Sequence, residues 1–421
     1  GNINISADFY SDGAVVKRKA GTTGVWLNVT AHNVSIEGFY FNGQWVGARC
    51  IEVQSVDNCT INNNTFTNVG EWCVHFNGTN NLRITDNRVL AASQGFSNVM
   101  PVDSTAEVAS TAVTISGNSI ANTAGTAIYL AGEQATGDSN YFKTHLLVTD
   151  AIIQGNLIQD ATGFGIIGQA RCLNVANNTL RNCGSSAGVQ SIVCQGVLIT
   201  VTGNTVEGGS GVGIDMGWCT NGSVQGNMLS GCGQIGIEAN SCSSVTITGN
   251  SIVNCGALES SAASSGISIA EGFFGAGLGS FGVTVSGNTV VSAGSGGKYG
   301  ISIGAGVTNT IVTGNHLAAS GTIASFYVDA TAAALIYGNI EANAEEGLLI
   351  TRSSSTVNKQ VSRGPTANND LWLAPTGTGT LRVDKFFGTA ATPANFAAQS
   401  YIQMKDTSGN VYYIPAKTAA W

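Results

Sequence analysis

The chain has 421 residues, of which 56 are Gly and 5 Pro; 43% are hydrophobic and only 10% charged. A formal net charge of −8 argues against nucleic acid as a partner, because phosphate contacts need Lys and Arg. Gly without a G-X-Y period excludes collagen, and no apolar stretch approaches the ~18 residues of a membrane span, so membrane insertion is not expected.

The chain opens at Gly1 already in strand-like sequence, at Ile3 and Ile5, with neither an initiator Met nor a signal peptide. It reads as a fragment or processed product, with an N-terminal anchoring region expected ahead of it. Lys17, Arg18 and Lys19 form the only basic cluster, and three charges are expected to be a solvated edge.

A unit of apolar-x-Gly/Asn-Asn-x-apolar then recurs. It reads INNNTF at 61–66, ITDNRV at 84–89, ISGNSI at 115–120, IQGNLI at 153–158, VANNTL at 175–180 and VTGNTV at 201–206. It continues as VQGNML at 224–229, ITGNSI at 247–252, VSGNTV at 285–290, VTGNHL at 312–317 and IYGNI at 336–340. Apolar and polar residues alternate with period two and the chain bends at Gly or Asn, so each unit predicts short strands and a turn. A unit this short buries its apolar face only by stacking on the next, which makes a solenoid with coils about 4.8 Å apart. Asn178, Asn204, Asn227 and Asn250 are expected to stack as a hydrogen-bonded ladder, with Asn suited to left-handed turn geometry.

The ten Cys fall within the repeat; Cys219 matches Cys242, and Cys232 matches Cys255. Stacked buried thiols are the expectation, rather than disulfides. Triplets such as Asn77-Gly-Thr and Asn221-Gly-Ser fit an Asn/Thr-rich repeat better than they fit glycosylation.

After about residue 355 the unit vanishes, and four of the five Pro follow. Strand-like runs at 371–375, 380–383, 401–406 and 411–415 predict a separate β module. The expected organisation is therefore residues 1–355 as a parallel β-helix and 356–421 as a C-terminal β module that caps the last coil and supports oligomerisation.

The repeat resembles the right-handed parallel β-helix superfamily, which includes pectate lyases, polygalacturonases and phage tailspikes. Right-handed crossover is also the general preference between parallel strands. The run LWLAPTGTGTLRV at 371–383 resembles a strand found near the ends of phage tail fibres and tailspikes. SYIQMKDTSGNVYYIPA at 400–416 is similar to their closing hairpin, with Met404 where the family often has Ile or Val. The resemblance implies a homotrimeric tailspike on a phage virion, acting outside the cell on a bacterial capsule or O-antigen polysaccharide. The N-T-D, D-D, G-H-G and R-I-K series of polygalacturonases and the D-P-H-D run of mannuronan epimerases are missing.

A second element, Gly-Ile-x-apolar, follows each Asn unit, and alternation puts Ile inward and x outward. The outward column reads Glu52, His75, Tyr129, Ile167, Gln190, Asp215, Glu238, Ser268 and Ser302. Asp215 and Glu238 then lie one rung apart. Like charges so close push one pKa up and leave an acid beside a base, the pair that glycoside hydrolysis needs in either its retaining or its inverting form. These two are the candidate catalytic residues.

Tyr129, Gln190, Trp218, Glu271 and Phe273 are the candidate substrate-binding residues. Insertions at about 91–110, 131–150 and 271–281 carry further carboxylates and aromatics, and the last two follow the same strand type. No Lys or Arg occurs from Asn182 to Gly297, which favours a hydrolase over a uronate lyase. A lyase would instead draw on Tyr129, Lys143, His145 and Arg171. A spike that binds without turnover is the strongest rival, marked by Asp215 and Glu238 buried or pointing into different grooves. His75 is expected to be structural. Asp103, Glu107 and Asp150 lack calcium-loop spacing, and no metal or cofactor is expected.

Overall fold

The computed structural model describes residues 3–19, 24–45, 47, 49–98, 109–130, 148–186, 188–257, 265–270, 279–291, 299–318, 324–329, 331–341, 357–359, 373–375, 401–405 and 411–415. It divides into two compact units, Gly1–Gly377 and Thr378–Trp421. No helix of the described residues is long and apolar enough to cross a membrane.

The first unit is a parallel β-solenoid. Each coil contributes to three faces, and each strand pairs in parallel with its counterpart one coil on. In one coil the strand Ile192–Thr202 turns from the first face onto the second, and Thr205–Glu207 forms the third; the next coil answers with Ile214–Gln225 and Met228–Ser230. The first face is the one that carries the Gly-Ile-x-apolar element. Its inward column runs Ile51, Val74, Phe96, Ile128, Ile166, Ile192, Ile214, Ile237, Ile267, Ile301 in unbroken register. All ten are fully buried. Each such side chain contributes about 1.5–3 kcal/mol relative to exposure, and none of that is available to a coil without its neighbours.

The Asn ladder joins the second and third faces. From Asn64 to Asn339, each side-chain amide donates to the Oδ1 of the next at 2.8–3.1 Å. Each backbone N–H from Asn64 to Asn315 donates to that same oxygen. The left-handed residue is not the ladder Asn but the one before it: Asn63, Asp86, Asn177 and, in the other coils, Gly117, Gly155, Gly203, Gly226, Gly249, Gly287, Gly314 and Gly338 all have positive φ. The ladder Asn turns inward and holds the corner together. The residue before it makes the bend.

All ten cysteines are free, and nine are buried in the stack. Arg18 departs from the solvated-edge expectation. It is 6% exposed, lies 5.5 Å from the Trp26 ring centre and donates to the Gly24 carbonyl at 2.9 Å. Its long stem covers apolar surface, while its charge is held against a ring face.

Two antiparallel pairs follow the coils in sequence. Val357–Lys359 pairs with Leu373–Pro375. In the second unit, Tyr401–Lys405 pairs with Val411–Pro415, Tyr401 facing Pro415. The run at 380–383 lies outside the described residues.

Candidate functional site

The outward column of the first face is defined by register. It runs Asn28, Glu52, His75, Ser97, Tyr129, Ile167, Val193, Asp215, Glu238, Ser268, Ser302, Tyr327. Glu52 and His75 take the expected places. Ser97 fills a rung that the sequence pattern skipped.

Gln190 does not belong to the column. Val193 occupies that rung, between Ile167 and Asp215, and Gln190 precedes the strand by two residues. The coil has no Gly-Ile pair to mark its strand start; the strand begins at Ile192 and puts Cys194 in the core.

Asp215 and Glu238 are direct register partners on adjacent strands, about 4.8 Å apart along the stack. Asp215 is 7% exposed and Glu238 is partly buried. Burial raises the Asp215 carboxyl well above its ordinary range, and the facing Glu238 raises it further. A hydrogen bond from Asn240 Nδ2 to Asp215 Oδ1 at 2.8 Å opposes them in part. The arrangement favours a proton on Asp215.

A second polar column lies two residues along the same strands. It consists of Gln169, Gln195, Gly217, Asn240 and Ala270. Gln169 Nε2 donates to Gln195 Oε1 at 2.6 Å. Gln169, Gln195 and Asn240 are 8%, 9% and 4% exposed, although they point away from the solenoid core. Sequence periodicity marked the first column and missed this one, because its members share no residue type.

Trp218 follows at a bulge. Gln195 pairs with Gly217 and Gly196 with Cys219, so Trp218 is the extra residue, with φ 49. The bulge takes Trp218 out of the strand alternation and leaves it 8% exposed beside the column.

Tyr129 stands three rungs before Asp215, separated from it by Ile167 and Val193. Its ring lies 6.4 Å from that of Trp72, and burial raises its hydroxyl pKa. The column therefore does not bring Tyr129 to the carboxylate pair. Glu271 and Phe273 lie outside the described residues, as do Lys143, His145, Asp103 and Glu107. Arg171 is exposed, and its rung partners are Thr149 and Val197.

At the other end of the column, His75 Nδ1 lies 3.4 Å from Glu52 Oε1, and Arg49 donates to the same oxygen at 2.6 Å. His75 leads the interactions that hold the Glu52 carboxyl below its ordinary value, with Arg49 assisting against partial burial. Glu52, Arg49 and His75 thus form a cluster, which Glu71 joins through Arg49 at 3.5 Å.

Residues 148–317 match the family model described as right handed beta helix region. Among solved structures, the A-module of a mannuronan C-5 epimerase from Azotobacter vinelandii is 12% identical with a TM-score of 0.41, covering 80% of this chain and 84% of that one. PfbA, a surface adhesin of Streptococcus pneumoniae, is 11% identical with a TM-score of 0.49, covering 84% and 87%. A tailspike protein of E. coli bacteriophage HK620, in complex with a pentasaccharide, is 13% identical with a TM-score of 0.45; the alignment covers 78% of this chain and 55% of that one. These likenesses are of fold. No curated protein sequence matches the chain. The three-faced parallel register makes the first unit a parallel β-helix, and residues 148–317 of it match the right-handed β-helix family model.

Proposed function

We propose that the chain is a phage tailspike-like protein that binds a bacterial capsule or O-antigen polysaccharide and cuts it by endo-glycosidic hydrolysis. The observation that carries this reading is the register pairing of Asp215 with Glu238 on one outward column. Burial and Glu238 keep a proton on Asp215, so Asp215 is the general acid toward the leaving oxygen. Glu238, partly exposed, is the base or nucleophile. The face carries no Lys or Arg from Asn182 to Gly297, which suits protonation of a leaving group and does not suit neutralisation of a uronate. The runs at 371–383 and 400–416, which resemble tailspike ends, support assembly as a homotrimer on a virion.

A receptor-binding spike without turnover is the second reading. It is favoured by the 7% exposure of Asp215, which limits access to the acid.

A reducing-end assay on purified capsular and O-antigen polysaccharides separates the two. Wild type is compared with Asp215→Asn and Glu238→Gln, and the ultraviolet absorbance of a newly formed unsaturated uronate is followed in parallel. Hydrolysis predicts new reducing ends without that absorbance and a loss of about 10²–10⁴-fold in each variant. Binding with no new ends in wild type makes the protein a receptor-binding spike. Cleavage that survives both substitutions moves the site, and rising absorbance makes the enzyme a lyase.

A further inference from the structure

Two side-chain amides flank Gly217, and their neighbours fix which end of each faces it. Gln195 Oε1 accepts the 2.6 Å bond from Gln169, which turns Gln195 Nε2 toward Gly217. Asn240 Nδ2 donates to Asp215 at 2.8 Å, which turns Asn240 Oδ1 toward Gly217 from the other side. Amide orientation follows from such networks, since the oxygen and the nitrogen have opposite hydrogen-bonding roles. A Cβ on Gly217 would lie 3.3 Å from Gln195 Nε2 and 3.3 Å from Asn240 Oδ1. Among the described residues, no group accepts from Gln195 Nε2 and none donates to Asn240 Oδ1. Both residues are more than nine-tenths buried, yet neither of these amide ends is among the fully enclosed atoms that lack a partner, so each keeps a path to solvent and to a ligand. Gly217 has no positive φ, so backbone strain does not require glycine there. The missing side chain leaves a gap with a donor on one side and an acceptor on the other.

We propose that this gap is a subsite for a single sugar hydroxyl, which accepts from Gln195 Nε2 and donates to Asn240 Oδ1. The assignment rests on the reading of the Asp215 face as a saccharide-binding surface and names the group it recognises.

A hydroxyl is the chemistry that fits. It donates and accepts through one oxygen, and the two amide ends lie within twice 3.3 Å of one another. A secondary amide, as in an N-acetyl group, donates and accepts through different atoms and spans farther, because hydrogen-bonded amides repeat at about 4.8 Å. A carboxylate or phosphate only accepts, and would leave Asn240 Oδ1 facing a negative charge. The ligand is therefore a hexose unit with a free hydroxyl at one defined ring position, next to the bond that Asp215 and Glu238 act on. Gly217, Gln195 and Asn240 are specificity residues; Asn240 additionally positions Asp215.

The test is saturation-transfer NMR of the full chain with D-glucose, D-galactose, D-mannose and L-rhamnose, and with each single-position deoxy form. At least one of these sugars binds, and one deoxy position alone weakens its binding about tenfold. Gln195→Glu keeps the acceptor for Gln169 and loses the donor, so it weakens the parent sugar to the same degree and does not discriminate against the critical deoxy form. Gly217→Ala does the same by filling the gap, with circular dichroism and melting temperature as checks on folding. Equal binding of all deoxy forms, wild-type affinity in Gln195→Glu, or no binding of any of the four sugars overturns the proposal. Asp215→Asn keeps an oxygen for Asn240 to bond. It loses cleavage and keeps binding, so a failure of the hydrolase reading is distinguishable from a failure of the subsite.

Discussion

Asn240 donates its side-chain N–H to Asp215 Oδ1 at 2.8 Å from the following coil, and Glu238, two residues before Asn240, is the register partner of Asp215. One carboxyl thus meets a donor and a like charge from the same strand. The donor favours ionisation, while burial and the like charge oppose it and prevail.

This balance predicts how stability depends on pH. The neutral form of Asp215 is favoured in the folded chain, so ionisation costs stability. That cost is absent well below the ordinary carboxyl value of 3.8, where folded and unfolded chains are both protonated. It grows as pH rises through that value and levels off above the raised folded pKa. Asp215→Asn removes the cost. At pH 7 the variant is expected to be more stable than wild type, and near pH 3 the two should coincide. Melting temperatures of both proteins across that range check this; a variant less stable at pH 7 contradicts the assignment.

The ladder predicts a different kind of loss. Asn204 donates to Asn227 Oδ1 at 3.0 Å and to the Val175 carbonyl at 2.9 Å, and its own Oδ1 accepts two bonds from Asn178 at 2.9 Å. It is fully buried. Asn204→Ala strands partners on both neighbouring coils, at a cost of about 2–5 kcal/mol. Gln225→Ala, at an exposed strand position on the same stack, should cost less than about 1 kcal/mol. Urea unfolding midpoints of the two variants should differ accordingly, and equal midpoints would show that the ladder is not cooperative.

The fold was legible because periodicity reports the inward columns and the Asn unit repeats at every corner. Asp215 and Glu238 were legible for the same reason: each follows the Ile of a Gly-Ile pair. Gln190 was misplaced because its coil lacks that marker and starts its strand at Ile192. The second column was invisible. Gln169, Gln195 and Asn240 share neither type nor motif, and only the register aligns them. The bulge at Trp218 also has no sequence signal of its own, since it exists only as a mismatch with the preceding strand. Arg18 was misread because a run of three cations looks solvated when the ring of Trp26 is not in view.

Two glycines separate backbone strain from steric exclusion. Gly226 has φ 62 with open space where a Cβ would go, and Asn63 and Asn177 occupy the equivalent position in other coils. Gly226→Asn should therefore cost little, and Gly226→Ala about 1 kcal/mol. Gly209 has φ 92, and a Cβ there would run into the Cys183 carbonyl oxygen. Gly209→Ala must also move backbone and should cost clearly more than Gly226→Ala. A thermal shift series of the three variants, ordered Gly226→Asn, Gly226→Ala, Gly209→Ala by increasing loss, is the expected result.

The cysteines give the most direct check on burial. Nine are buried and only Cys172 is partly accessible, at a left-handed position with φ 59. Thiol reagents attack the thiolate, and burial disfavours it; Cys183 is pushed up to about 12. Titration of the native protein with a chromogenic disulfide at neutral pH should therefore release about one equivalent quickly. The same titration in denaturant should release all ten. Because coils bury each other's thiols, the slow native phase should follow unfolding rather than reagent concentration. Asn204→Ala, which breaks the ladder at a central coil, should accelerate that phase and leave the fast equivalent of Cys172 unchanged. A slow phase that scales with reagent would instead mean that the thiols are reached without opening the stack.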